Sequence, residues 1–469
     1  MIHELLIRVR AFFRRRSLKK RKSLEVRISE LESENAELKK ENAELKSRLA
    51  KYEKKDSSNS SKPPSKDNDG KKKNKSGRAK SGKKAGAPKG HKGHAREQVS
   101  NPDKIERCEA EKCSICGEDL TNIEGEVISK RQEIDITAPE PKTTEYQQIE
   151  KICPRCKARN KGEFPENIRA PVQIGNNTRA LSIYLHVNHK VPFKRTTEII
   201  ADLLNLNISE GSIENFLEKA FKETSNIYPE IMNKLKSSEY IHSDETGIRV
   251  DKKLYQLWGW CNDKFTYYAA DRRRSYAVIE EHLGNDYQGV AIHDCHSAQN
   301  KTAPSKHQHC LVHYDRDLRY VIETENCKWA EAFYHLTLNA RRIRDMIWSE
   351  TYSSEARKKV IQSLHKALDQ IMKIPAYKKE AYKLKNRVVK HRDKILTFLD
   401  YPAMPADNNT AERAIRNAKI HRKVSGCYRN PQAAQRYAVI LSWIETAKRL
   451  GQSAILACQN LFLNNFQLT

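Results

Sequence analysis

Three acids stand in contexts that suit phosphodiester chemistry: Asp244 in HSDETGIRV, Asp294 in VAIHDCHSA and Glu412 in DNNTAERAIRNAKIHRK. Two magnesium ions about 4 Å apart can activate an attacking oxygen and stabilise the leaving one. Magnesium takes oxygen ligands and keeps several waters, so a few carboxylates suffice to hold it. The chain has 60 Asp and Glu, so any one of them alone is most simply a surface carboxylate. Order and placement single out these three. Arg413 follows Glu412 directly, and Arg416 and Lys419 recur on the same helical face, where they suit phosphate groups. A second metal chemistry is written in two C-x-x-C pairs, Cys113/Cys116 and Cys153/Cys156. Each pair can bite one ion from a tight knuckle, and two knuckles complete a tetrahedral thiolate shell for zinc. Cys310 and His313 form a lone C-x-x-H pair that lacks two further ligands, so they are expected to be structural, packing near the acids.

The acids need elements to bring them together. After Glu239 the pattern turns to short strands, YIHSDETGIRV, LYQLWGWCN and KFTYYAA, then a helical SYAVIEEHL, then GVAIHDCHS. Three strands, a helix and a fourth strand is the order of ribonuclease-H-like folds. There the first and fourth strands lie side by side and present two acids. Asp244 is expected near the end of the first strand and Asp294 at the end of the fourth. Glu412 is expected on a later helix capped by Asp407 or Asn408. Glu245 should point to the opposite face of the strand and play a supporting part at most. The stretch from Trp329 to Leu399 is basic and reads as an inserted helical subdomain.

The N-terminal half has a different composition. Leu24, Leu31, Leu38, Leu45 and Tyr52 recur every seven residues, with Ile28, Asn35, Asn42 and Leu49 in the other core register. That is a coiled coil, and Asn at the first core position favours parallel dimers. From Lys71 to Arg96 there are eleven Lys or Arg and no acid, interleaved with Gly, as in a solvated linker that also tracks phosphates. EVISKRQEIDI and TTEYQQIEKI alternate like the strands of a zinc ribbon. FKRTTEIIADLLNLNISEGSIENFLEKA gives a helix, a break at Asn205 to Asn207 and a second helix capped by Ser209. It reads equally as a helix-turn-helix or as two helices packed on a larger domain. Lys and Arg total 87 against 60 acids, a formal charge of +27, which points to a polyanionic partner. No run of about 18 apolar residues exists, and the start, MIHELLIRVRAFFRRRSLKKRK, is too interrupted for a signal peptide. The 11 cysteines do not form a disulfide framework. No membrane partner is expected, and the expected setting is the reducing cytoplasm, on the nucleoid.

NSSKPPSKD, GAPKGHKGH, the paired C-x-x-C motifs, the three acid motifs and the tail RYAVILSWIETAKRLGQSAI together resemble transposases of the insertion sequence 66 family. The likeness spans nearly the whole chain. After the second Asp, this chain has Cys295, His296, Ser297 and Ala298 where that pattern carries an aromatic residue. The resemblance implies a DDE mechanism on a ribonuclease-H-like core, in which hydrolysis exposes a 3′ hydroxyl that attacks target DNA. Asp244, Asp294 and Glu412 would hold magnesium or manganese, and the ribbon zinc. The partners implied are transposon ends and target DNA, a homodimer or higher oligomer, and accessory proteins of the same element. A catalytically silent end-binding repressor is the alternative.

The expected architecture is multidomain α/β. A basic helix and coiled coil occupy residues 1–55, a basic linker 56–100, a zinc ribbon 101–161 and a helical DNA-binding region 162–236. A ribonuclease-H-like mixed-sheet catalytic core follows at 237–430, with a helical insertion at about 300–400, and C-terminal helices at 431–469.

Overall fold

The computed structural model describes residues 33–42, 44–45, 97–135, 139–301, 306–466 and 468. The expected basic N-terminal helix, most of the heptad stretch and most of the basic linker lie outside them. Residues 33–42 and 44–45 are helical and exposed. The chain divides into two compact units. One comprises Met1–Lys72, Pro165–Thr197 and Ile208–Thr469, and the other Lys73–Phe164 and Glu198–Asn207.

In the second unit, β1 (Glu150–Ile152) and β2 (Arg159–Lys161) pair antiparallel around Cys153 and Cys156. The strand expected at EVISKRQEIDI is not formed among the described residues, and only the last three residues of TTEYQQIEKI are extended and paired. These segments are largely exposed, so alternation alone had no buried face to secure it. Both cysteine pairs nevertheless close the same turn. Cys113 N–H donates to Glu118 O at 2.8 Å and Gly117 N–H to Cys113 O at 2.9 Å. Cys153 N–H donates to Ala158 O at 2.8 Å and Lys157 N–H to Cys153 O at 2.9 Å. Gly117 and Lys157 take positive φ at the equivalent position, 77° and 59°.

The larger unit opens with α1 (Asn176–Ile183), extended by a π-helical turn at Tyr184–Asn188. Helix α2 (Phe193–Leu204) begins in this unit, and after the break α3 (Glu210–Thr224) follows. Ser209 caps α3, its Oγ accepting from Ser212 N at 3.1 Å. Ile213, Phe216, Leu217 and Ala220 of α3 are buried in a core shared with the C-terminal helices. Its Glu214 and Glu218 pair with Arg436. Helix α4 (Ile227–Lys236) then leads into the sheet.

Five strands make a mixed sheet in the order β5-β4-β3-β6-β7. They are β3 (Tyr240–Val250), β4 (Lys253–Cys261), β5 (Thr266–Asp271), β6 (Val290–His293) and β7 (Lys306–His309). The fifth, KHQH, lacks an apolar signature and was not expected. Asp251 and Lys252, both at positive φ, turn β3 tightly into β4. Helix α5 (Tyr276–Leu283) crosses from β5 to β6, which runs parallel to β3. Beyond β6 come a short α6 (Ser297–Asn300) and β7, and then four helices that build a second core. These are α7 (Leu311–Glu325), α8 (Lys328–Ile347), α9 (Ser354–Lys373) and α10 (Lys379–Lys390).

Helix α11 (Asn409–Val424) returns to lie on β3 and β4. Gly259 of β4 permits the close approach, since a Cβ there would meet Ile415 Cγ1 at 3.4 Å and the Tyr268 ring at 3.3 Å. Asn430 caps α12 (Pro431–Arg449), with proline at the first turn, and α13 (Ala454–Leu463) packs beside it. Helix α12 covers the edge strand β5 with polar side chains. Ser442 Oγ accepts from Tyr268 N at 2.8 Å, Thr446 Oγ1 from Thr266 N at 3.0 Å and Gln435 Oε1 from Ala270 N at 3.1 Å. Every second N–H of the strand is thereby satisfied, leaving no open edge for another strand.

Candidate active site

The register of two parallel strands brings the first two acids abreast. Tyr240 pairs with Val290, Ile241 with Ala291 and His242 with Ile292. Two residues further along each chain stand Asp244 and Asp294. Asp244 lies mid-strand, not near a strand end as expected, because β3 continues to Val250 in its pairing with β4. What ends beside Asp244 is the ladder to β6. Glu412 sits in the first turn of α11, its N–H donating to Asn408 O at 3.1 Å.

Asp294, Cys310, His313 and Glu412 gather so that one ligand atom from each lies within 4.8 Å of the others. His313 Nδ1 is 3.1 Å from Asp294 Oδ1 and 3.9 Å from Glu412 Oε1. All three atoms are buried, and none has a hydrogen-bond partner. The 3.1 Å contact is thus close enough for an ion pair but not aligned as a hydrogen bond. Leaving one polar atom so costs about 1–3 kcal/mol, and three converging on one point suit a shared cation. Asp244 stands outside this group but is coupled to it. Burial, then the charges of Asp294 and Glu245, push its carboxyl up to about 8 against the pull of Lys419. Burial also raises Asp294, with Glu412 and Glu245 adding to it and His313 opposing. Burial above all, and then neighbouring charge, works against the charged form of both carboxyls, and a bound cation would favour that form.

A family model described as "Transposase IS66 family" matches residues 171–436, more than half of the chain and all of the residues just described. The chain belongs to the IS66 family of transposases. A second model, a family of unknown function (DUF6444), matches residues 16–97. No match was found among curated proteins. The transposase has, among its described residues, no helix long and apolar enough to cross a membrane.

Around the acids the transposase arranges several residues that sequence reasoning misjudged or missed. Asn408 occupies the helix-entry position but caps nothing with its side chain. Its Nδ2 donates to Ser243 O at 2.9 Å, its Oδ1 lies 3.1 Å from His242 Nδ1, and its backbone N–H donates to Cys310 Sγ at 3.2 Å. Asp407 Oδ1 accepts from Asn409 N at 3.0 Å instead. Cys310 is buried, its thiol pushed up to about 12 by burial and then by Asp294. His313, expected to be structural, meets Asp294 and Glu412 directly. Glu245 turns to the side away from Glu412, held by Arg274 at 2.9 Å, Gln299 at 3.3 Å and His296 at 3.6 Å.

Behind Asp294 lies a buried histidine network. His293 Nδ1 is 2.5 Å from Asp294 O, and its Nε2 is 2.8 Å from His307 Nδ1. His309 bonds Asn300 at 2.7 Å and Tyr314 at 3.0 Å. Burial depresses His293 to about 3 and lowers His309 as well, so these two rings stay neutral and brace the turn that carries the acid. Two of them come from β7, whose residues carried no signal of their own. Arg413, Arg416 and Lys419 are exposed along α11. The four zinc-pair cysteines are described too, but they do not form one group close enough to share an ion.

Proposed function

We propose that this transposase binds the ends of its insertion sequence and cuts and joins DNA with Asp244, Asp294 and Glu412 as a DDE trio on a ribonuclease-H-like core. The observation that carries the reading is the placement of Asp244 on β3 and Asp294 just past β6, each two residues beyond a paired position of these adjacent parallel strands, with α11 bringing Glu412 up to Asp294. Buried carboxylate oxygens without partners fit magnesium or manganese. A bound divalent ion would supply positive charge to the attacking and leaving oxygens. The chain's own residues do the rest. The trio fixes the site, Lys419 lowers the electrostatic cost of charging Asp244, and Arg413 and Arg416 hold phosphates along the exposed face of α11. The paired knuckles fit a zinc ribbon and, with the basic linker, engage DNA. The heptad stretch joins two chains so that two sites meet two ends. Accessory proteins of the same element fit this scheme.

The test is a strand-transfer assay on the element's own ends with magnesium. Asp244→Asn, Asp294→Asn and Glu412→Gln should each cut turnover by roughly a hundredfold or more, since several kcal/mol of charge stabilisation are at stake. End binding should survive. Activity retained in any one variant removes that residue from the trio, and a wild type that binds ends without cutting them returns the chain to a silent binder.

A further inference from the structure

We propose that His313 is a nitrogen ligand of the divalent ion held by Asp294 and Glu412, which makes the site a mixed imidazole–carboxylate one that favours manganese over magnesium. This rests on the catalytic reading above and deepens it.

The placement of the ring is fixed from two sides. His313 sits in the first turn of α7, just after Cys310. Cys310 N–H donates to His293 O at 2.9 Å, pinning the helix start to the strand that delivers Asp294. Leu311 N–H donates to Ala406 O at 2.9 Å, pinning it to the segment that delivers Glu412. The ring therefore arrives between the two acids by backbone bonds to both of their carriers. Its Nδ1 is buried and has no hydrogen-bond partner, as is true of Asp294 Oδ1 and Glu412 Oε1. Neighbouring ligands of an octahedral ion with bonds of about 2.1 Å lie about 3 Å apart. His313 Nδ1 and Asp294 Oδ1 are 3.1 Å apart. Cys310 completes the cluster, but its Sγ already accepts from Asn408 N, so it is not counted as a ligand.

The chemistry follows from the donor atoms. Carboxylates alone suit magnesium, calcium and manganese, whereas imidazole suits transition metals. One nitrogen among oxygens moves preference away from magnesium. His296, whose Nδ1 is also buried without a hydrogen bond, lies against Glu245 and serves as the control.

Manganese bound to the full-length protein and observed by pulsed electron paramagnetic resonance tests this directly. The wild type should show nuclear modulation from a bound imidazole nitrogen, lost in His313→Ala and kept in His296→Ala. Removing partners outside the ligand shell costs about 10–100-fold in metal affinity, so losing the ligand should lower the manganese-to-magnesium affinity ratio by roughly tenfold or more. Two results overturn the inference alone. One is manganese that binds in an Asp294-dependent way without nitrogen modulation in the wild type. The other is modulation that persists in His313→Ala. Manganese that fails to bind, or binds equally to Asp294→Asn and Glu412→Gln, overturns the catalytic reading with it.

Discussion

Asn408 carries no charge and is wholly buried, yet it ties three carriers of the site together. Replacing it with alanine orphans the Ser243 carbonyl and the His242 ring, at about 1–3 kcal/mol for each buried group left unpaired. Asn408→Ala should therefore shift the urea midpoint downward by an amount worth roughly 2–6 kcal/mol, and an unchanged midpoint would refute the tie. The three acids drew attention because each stands in a distinctive local motif, Asp244 on a strand and Asp294 just past one. Asn408 was half legible. Its position before a helix suggested a cap, but its partners lie at His242, Ser243 and Cys310, where no local spacing could find them. His313 failed for the same reason. The acids that meet it, Asp294 and Glu412, arrive from distant segments.

At the scale of elements, strong periodicity survived and weak periodicity did not. The apolar runs VAIH and LWGWC became buried strands, while the described residues of EVISKRQEIDI are exposed and form none. β7 was invisible because KHQH, an edge strand, owes its burial to β6 and to the turns at Arg392–Lys394 and Thr397–Asp400 that pack against it. The two cysteine turns are a case where local order was legible and long-range assembly was not. In each, backbone N–H groups of the turn pull the first thiol below its usual range: Cys116 and then Ile115 at Cys113, Cys156 and then Arg155 at Cys153. Turns that favour thiolate are suited to zinc. The purified protein should carry about one zinc per chain by elemental analysis, lost when Cys113→Ser is combined with Cys153→Ser. A wild type free of zinc would end the ribbon proposal.

Across the whole molecule, the cost of crowding acids should be visible in stability. Asp244 titrates near 8 in the folded chain, so between the ordinary carboxylate range and about 8 the folded state binds more protons than the unfolded one. Stability then falls as pH rises through that window. Melts of metal-free protein should show a falling midpoint from pH about 5 to about 8, flattened in Asp244→Asn and relieved by added manganese. A midpoint that rises through this range in the metal-free wild type would contradict the buried-acid account. A different consequence follows from the shared core of α1, α3, α12 and α13, in which Asn176 near its start donates to the carbonyl of Phe462 near its close. The two ends of that bond stand 286 residues apart, so this core behaves like a clasp whose halves are far apart along the chain, and trimming either α1 or α13 would unfasten it.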